Sequence, residues 1–569
     1  MNGGGENATG ETQRAKRRTR KNEALRRKER RSPQPDTYDS RGRPVRTAST
    51  VFAKDFPVFS YLCTMRFRLT ERAPMLPVTM ALAAGIAVAS WRMPPVWLSA
   101  AGVAACAAAA VASLRTGRLT ASGAIVMAAV FLGATLTSIK LQTTAQGGEY
   151  GIYEIVIGRI ARGQTEARII SHRDESGVWH RQRGRLRIYA DTSLHIAAGQ
   201  RIVCRGRIRP YAGRGYGAMM RLRGYAGSLY LGRDAVLQAD HGGRMPDATG
   251  SLHRRAVAKI GSLPLQNDNM AVAMAVGTGN TSLLERSRRA EYSRAGTAHL
   301  LALSGLHVGI VYLLVNLLLR WLPLLAYGHI IRNTAAVVLL WLYVLSTGMP
   351  PSAVRAALMF SMLQLSQALS ADYSPLNALA CAAFISLCLD PGLLFDAGFR
   401  LSYIAVAAII LFAPPLCRRL HISRRDVRNG YTRASIAAVN RLAEIFVVGF
   451  VATAATAPMV SHLFGVIPLA GILTAPAAIT AAAVTVALTA VWIALPLGFA
   501  TAAFGRAVDL AAGAMNAVSE WLASCQWAAL DVRLNGMETA VCYAVAIATA
   551  CLLAAVGNDN RQTRNIRIG

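Results

Sequence analysis

The chain has 569 residues, of which 53% are hydrophobic and 16% charged, and its formal net charge is +32. Apolar sequence on that scale, divided into separate runs near the length that crosses a bilayer, excludes a soluble globular domain and implies an integral membrane protein. The charge gathers in three zones: 18 Lys/Arg against 8 Asp/Glu in residues 1–73, 17 Arg against 8 acids in 145–245, and 7 Arg against one Asp in 417–441.

Residues 1–73 carry the basic block RAKRRTRKNEALRRKERR from Arg14 to Arg31 among Gly, Pro and Ser. Such a segment cannot bury enough apolar surface to fold, so a disordered basic cytoplasmic tail is expected, with a nucleic-acid-binding arm as the alternative. The string MRFRLTERAPML makes Met65 as plausible a start as Met1. No secretory signal pattern is expected, because the first apolar run begins after Pro74 and leads directly into another.

Three N-terminal transmembrane helices are predicted within 74–140, at about 76–91, 95–113 and 121–139. Arg92 and the pair Arg115 and Arg118 mark the connections. Positive charge favours the cytoplasm, so a basic tail inside places the second loop inside and everything after Lys140 outside.

Residues 145–245 read as a soluble β domain. YEIVIGRIA, EARIIS, GRLRIYAD, GQRIVCRGRIRP and GSLYLGRDAVLQ alternate apolar and polar positions between Gly, Asp and Ser turns, and five such strands suggest a small barrel. In the fourth, Ile202, Cys204 and Ile208 share one face while Arg201, Arg205, Arg207 and Arg209 share the other. The region has no lysine, and it contains Trp179, Tyr189, Tyr211, Tyr216, Tyr225 and Tyr230. Guanidinium forks suit phosphates and aromatic faces suit unstacked bases, so an oligonucleotide-binding (OB) fold is expected, with Arg185, Arg187, Arg201, Arg205, Arg207, Arg209, Tyr189 and Tyr211 contacting the strand. A basic surface meeting anionic lipid headgroups is the alternative.

An amphipathic, interfacial helical connector is predicted over 246–297, where Arg286, Arg289 and Arg294 lie beside Leu283, Leu284 and Tyr292. A transmembrane domain follows over 298–557. Spans are expected at about 300–319, 330–347, 353–369, 376–390 and 396–416, ending inside at the basic loop 417–441. Segments near 443–460, 466–480, 481–498, 508–530 and 537–556 are interrupted by Pro458, Pro468, Pro476 and Pro496. A cytoplasmic tail over 558–569, with Arg561, Arg564 and Arg567, requires an even number of crossings, so one of these five is expected to be a half-helix or re-entrant piece. Seven of the nine cysteines lie in or at the ends of apolar runs without a Cys-x-x-Cys pair, as small core residues do; no metal site is expected.

The most informative segment is GTAHLLALSGLHVG, Gly296 to Gly309, which opens an apolar run yet carries His299, Ser304 and His307. Polar groups at membrane depth usually face the bundle interior or an aqueous cavity, although Ser304 bonding back to its own helix and histidines at the interface would also satisfy them. Three further strings add polar groups to apolar runs: MPPSAVRAALMF with Arg355 one turn past Pro350 and Pro351, ADYSPLNALACAAF with Asp372 and Asn377, and DPGLLFDAGFRLSYIAV with Asp390, Asp396, Arg400 and Ser402. Locally, Asp372 and Asp390 fit helix N-caps, and Asp396 with Arg400, four residues on, fits an intrahelical ion pair.

Together these strings, over roughly residues 250–480, resemble the signature of the ComEC family, polytopic channels for single-stranded transforming DNA. The resemblance implies a polytopic α-helical membrane protein with a small extracytoplasmic β-barrel (OB-like) domain, in a bacterial inner membrane. It makes His299, Ser304, Gly305, His307, Arg355, Asp372, Asn377, Asp396, Arg400 and Ser402 candidates for the channel lining. The family usually has Gln at Arg400, Phe at Tyr403 and an Asn near Thr474, so this chain adds positive charge to any pore. Many members also carry a C-terminal metallo-β-lactamase-like domain that is not recognisable in this sequence, so no nuclease activity or metal is expected of this chain. No cofactor is implied. Single-stranded DNA and membrane lipids are the expected ligands, with a separate motor ATPase, because no Gly-x-x-x-x-Gly-Lys-Ser/Thr loop is present, a separate periplasmic receptor or nuclease, and homo-oligomerisation as an option. Two other functions stay open: a transporter or flippase of another anionic substrate, and an intramembrane hydrolase using Ser304 with His307.

Overall fold

The computed structural model describes residues 73–549, apart from short stretches at 93–94, 116–119, 144–149, 162–163, 175, 192–193, 195, 197–198, 212–215, 241–247, 323–327, 370–371, 423–429, 496–497 and 526–527. The basic tail, Met65, the centre of the loop 417–441 and the segment 558–569 lie outside the described residues, as does the side chain of Thr474.

Three apolar helices come first: α1 (Met75–Arg92), α2 (Val96–Arg115) and α3 (Thr120–Thr143). Helices α1 and α3 touch backbone to backbone. A Cβ on Gly85 would fall 2.0 Å from the Val130 carbonyl oxygen, and one on Gly133 would fall 2.3 Å from that of Leu82. Small residues permit this closeness, which in lipid substitutes for hydrophobic driving force.

The β-rich region folds as β1 (Tyr150–Ala161), β2 (Gln164–Arg173), β3 (Trp179–Ala190), β4 (Arg201–Arg207), α4 (Tyr216–Leu222), β5 (Tyr225–Leu231) and β6 (Val236–Asp240). The fifth segment expected from sequence divides in two at a 3-10 turn, Arg233–Ala235. The strands form one sheet in the order β5-β3-β2-β1-β4-β6. All neighbours are antiparallel except β3 and β5. Arg209, just past β4, also bridges to Ser228 of β5, with both backbone hydrogen bonds at 2.8 Å. Ile155, Ile157, Leu186, Ile188, Ile202, Cys204, Leu229 and Leu231 fill one side of the sheet.

The connector is three helices, α5 (Ala248–Gly261), α6 (Asn267–Thr278) and α7 (Arg286–Arg294). An interfacial position fails for α6, because Ala271 to Thr278 are all buried. From Ala271 to Thr278 its side chains are small or apolar on every side, so this part fills the interior between later helices rather than floating at a surface.

The remaining helices are α8 (Ala298–Leu301), α9 (Gly305–Leu318), α10 (Gly328–Ser346), α11 (Pro351–Ala368), α12 (Pro375–Leu389), α13 (Ala397–Leu420), α14 (Gly430–Phe464), α15 (Ala470–Ala494), α16 (Thr501–Ala523) and α17 (Gly536–Thr549). Five helical segments are long and apolar enough to cross a membrane: Ser122–Gln142, Gly328–Ser346, Ala397–Leu420, Ala434–Phe464 and Ala477–Ala494. Five shorter apolar helices accompany them. The chain is a multi-pass helical membrane protein. Exposed Leu313, Leu317, Leu318, Val541 and Val545 suit lipid, whereas in water they would aggregate.

Two expectations change. The run 300–319 is two helices separated at Ala302–Ser304. Conversely, the segments 466–480 and 481–498 belong mostly to the single helix α15, with Pro476 inside it. Val466–Pro468 instead pairs as a short strand, β7, with Ala529–Asp531, β8. Four helices among the described residues begin after residue 429, and of these Ala434–Phe464 and Ala477–Ala494 are long and apolar enough to cross a membrane. Membrane helices accommodate proline because neighbouring groups re-satisfy the freed carbonyl.

Candidate functional site

Two groups of residues stand apart, one on the sheet and one where α9, α11 and α13 meet. On β4 the alternation holds: Ile202, Cys204 and Ile208 are buried, and Arg201, Arg205, Arg207 and Arg209 are exposed on the opposite face. Burial pushes the Cys204 thiol up to about 12, because the thiolate would be desolvated. Arg201 is held by Glu154 at 3.0 Å. Arg205 and Arg207 stand opposite Ile152 and Tyr150 on β1.

On β3, Leu186 and Ile188 enter the core, which turns Arg185, Arg187 and Tyr189 outward. Tyr189 lies in register with Tyr230 of β5, and both are exposed. Arg187 is half-buried and donates to the Tyr216 hydroxyl. Tyr216 meets Tyr211 edge to face, with centroids 6.1 Å apart. Tyr211 is itself half-buried, its phenol pushed up to about 12 by desolvation, and Tyr225 is buried with its hydroxyl donating to Glu166 at 2.7 Å. Tyr211 and Tyr225 therefore support the sheet, while Tyr189, Tyr216 and Tyr230 present faces to solvent. The sequence names Tyr216 and Tyr230 among the region's aromatic residues but not among the expected strand contacts; for Tyr230 the alternation in GSLYLG is the signal that it faces outward.

In the membrane motif, Ser304 is the N-cap of α9. His307 is fully buried and its Nδ1 accepts from the Ser304 N–H at 3.4 Å, which leaves Nε2 to carry the proton. His299 is exposed, and its Nδ1 bonds the Gly296 carbonyl oxygen at 2.9 Å. Arg355, on α11, is only 4% exposed. Its Nη2 lies 3.1 Å from where a Cβ on Gly305 would stand, and its guanidinium carbon is 5.4 Å from the centroid of the Tyr403 ring on α13. Ser304, Gly305, His307 and Arg355 thus converge.

The other candidates do different work. Asp372 is exposed, and Ser374 rather than Asp372 caps α12. Asn377 accepts from the Met75 N–H at 3.0 Å and so anchors the start of α1. Asp390 accepts from Gly392 N–H at 3.1 Å and caps a 3-10 turn, Pro391–Phe395. The expected Asp396–Arg400 pair does not form. Asp396 turns back to cap α13 through the Phe399 N–H at 2.9 Å, where it meets Arg223 from the sheet region at 3.0 Å. Arg400 instead donates Nε to the Leu394 carbonyl at 2.7 Å and lies over the Phe395 ring. Ser402 is half-buried on the same helix.

A polar cluster that sequence reasoning missed lies between α9, α10 and α11. Gln364, 1% exposed, donates to the Tyr312 hydroxyl at 2.8 Å and to Asn316 at 3.3 Å, and Arg332 donates to Asn316 at 3.1 Å. Asn316 lies in the apolar stretch of α9 after His307, and Gln364 in the half of α11 after Arg355; polar groups within apolar runs were the available signal.

Residues 277–556 match the family model described as Competence protein. The chain carries the competence-protein domain of the ComEC family. It is also 31% identical over 169 residues to ComE operon protein 3 of Bacillus subtilis (strain 168), a match covering 28% of this chain and 20% of that protein. The chain therefore spans about a fifth of the length of that curated relative. No solved structure matches. The convergent residues Ser304, Gly305, His307 and Arg355 all lie within the competence-family region.

Proposed function

We propose that this ComEC-family chain is an inner-membrane conduit for single-stranded DNA in natural transformation, with the sheet capturing the strand outside and the bundle passing it inward. The observation that carries this reading is an exposed arginine and tyrosine face on the sheet in a chain whose helical part is a competence domain. Arg185, Arg205, Arg207 and Arg209 would track phosphates, and Tyr189, Tyr216 and Tyr230 would stack bases, a combination indifferent to sequence.

The strand order, the parallel β3–β5 pair and the Arg209–Ser228 bridge together support an OB-like barrel, since they carry β4 round toward β5. The buried polar groups around Ser304, His307 and Arg355 support a pathway lined at least in part by α9 and α11. A serine hydrolase would need Ser304 Oγ bonded to its base, whereas His307 Nδ1 faces the Ser304 backbone N–H and Ser304 Oγ is unpartnered. Movement of the strand would draw on a separate motor ATPase, and delivery on a separate receptor or nuclease.

The test is genetic and physical together. Deleting the gene should abolish transformation by chromosomal DNA while DNA still binds the cell surface, and Arg205→Ala with Arg207→Ala should lower transformation at normal membrane abundance. Undiminished transformation in the deletion strain would refute the proposal.

A further inference from the structure

The interruption between α8 and α9 has a chemical signature of its own. The Gly305 and Leu306 amides in the first turn of α9 have no intrahelical acceptor, and a break at membrane depth persists only where its freed groups are satisfied. Four side-chain atoms at this place are buried and unpartnered: Ser304 Oγ, His307 Nε2, and Nε and Nη1 of Arg355. Every one can donate a hydrogen bond, because His307 Nδ1 is already the acceptor for the Ser304 N–H. No Asp or Glu pairs with Arg355 among the described residues, and the Tyr403 ring offers it only a π-face. Donors without acceptors, around an unneutralised cation, ask for an anion.

The surroundings hold the break open. Gly305 has no side chain, so the guanidinium reaches over the end of α9; a Cβ there would crowd Arg355 Nη2. Ser352, in the first turn of α11, hydrogen-bonds to the Leu303 carbonyl, fastening the interruption to the start of a second helix. Two helix N-termini, each with positive partial charge, are thereby brought together.

We propose that the α8–α9 interruption is an oxyanion site that takes one phosphate group, with Arg355 as its fixed charge and Ser304, His307 and the α9 amides as donors. The source would be a phosphodiester of a passing strand or free phosphate. Only the first source rests on the reading of the bundle as a DNA pathway.

The experiment uses the full chain in lipid nanodiscs and follows its thermal unfolding with dimethyl phosphate, which is too small to use the stacking face, and with inorganic phosphate. Dimethyl phosphate should raise the unfolding temperature saturably. Arg355→Gln should need about tenfold more of it for the same shift, Arg355→Lys should keep part of the response, and Ser304→Ala, which spares the charge, should lose less. A chain that responds to neither anion, or an Arg355→Gln protein that responds like the parent, overturns the site. Response to inorganic phosphate alone overturns the phosphodiester source. A response that depends on Arg355, together with full transformation in an Arg355→Gln strain of normal abundance, would uphold the site and refute the DNA pathway instead.

Discussion

Asp396 serves two elements with one carboxylate, capping α13 and meeting Arg223. Asp396→Asn keeps an oxygen for the cap and loses the ion pair, whereas Asp396→Ala loses both. The alanine variant should be less stable than the asparagine variant by about 1 kcal/mol, the usual cost of a lost cap. Thermal unfolding of both proteins in one detergent checks this, and equal stabilities would mean that the cap is idle. Cys204 makes a different forecast. Its thiol is pushed up to about 12 by burial, so the unfolded chain ionises first as pH rises. The native state keeps its full stability below the ordinary thiol range and loses it progressively up to about 12. At pH 8 the folded chain should therefore resist alkylation at Cys204 until denaturant is added; rapid modification without denaturant, read by peptide mass, would contradict the burial.

At the scale of elements, the α1–α3 contact is the least forgiving. Gly85→Leu must displace the Val130 carbonyl and should abolish accumulation of the protein in the membrane, whereas the same change at Gly123, which faces open space, should be tolerated. Immunoblots of membrane fractions decide between them. The strands were legible in sequence because a period of two is local: the alternation around Cys204 announces both faces of β4 by itself. The interruption at Ala302–Ser304 was not, since no proline marks it and the apolar pattern runs through; a contact from Ser352, far along the chain, fixes it. Proline misleads in the opposite sense at Pro476, which looks like a break in the sequence and lies inside α15. Arg223 was invisible as the partner of Asp396 for the same reason as Ser352, because spacing within a helix says nothing about a residue 173 positions away.

For the whole molecule, charge placement predicts an orientation: a basic N-terminus inside would put the sheet outside and the basic segment 417–441 inside. A Tyr230→Cys site should then react with an impermeant thiol reagent applied from the periplasm, while Arg419→Cys should react only after permeabilisation; the reverse pattern would leave the sheet unable to meet incoming DNA. Binding of an oligonucleotide to the full chain in nanodiscs should weaken steeply as salt rises, through release of counterions from the strand. A salt-independent affinity would remove the arginines from the interface.

Arg223 carries one more consequence. The sheet region leaves the bundle after α3 and rejoins it before α5, and Arg223 with Asp396 and Asp390 supplies a third hold, backed by Met219, Met220 and Phe395. A body held at two points still turns about the line through them, and a third hold removes that turn. The arginine and tyrosine face is then restrained rather than a swinging flap, and a strand captured on it would be offered to the helices from one direction.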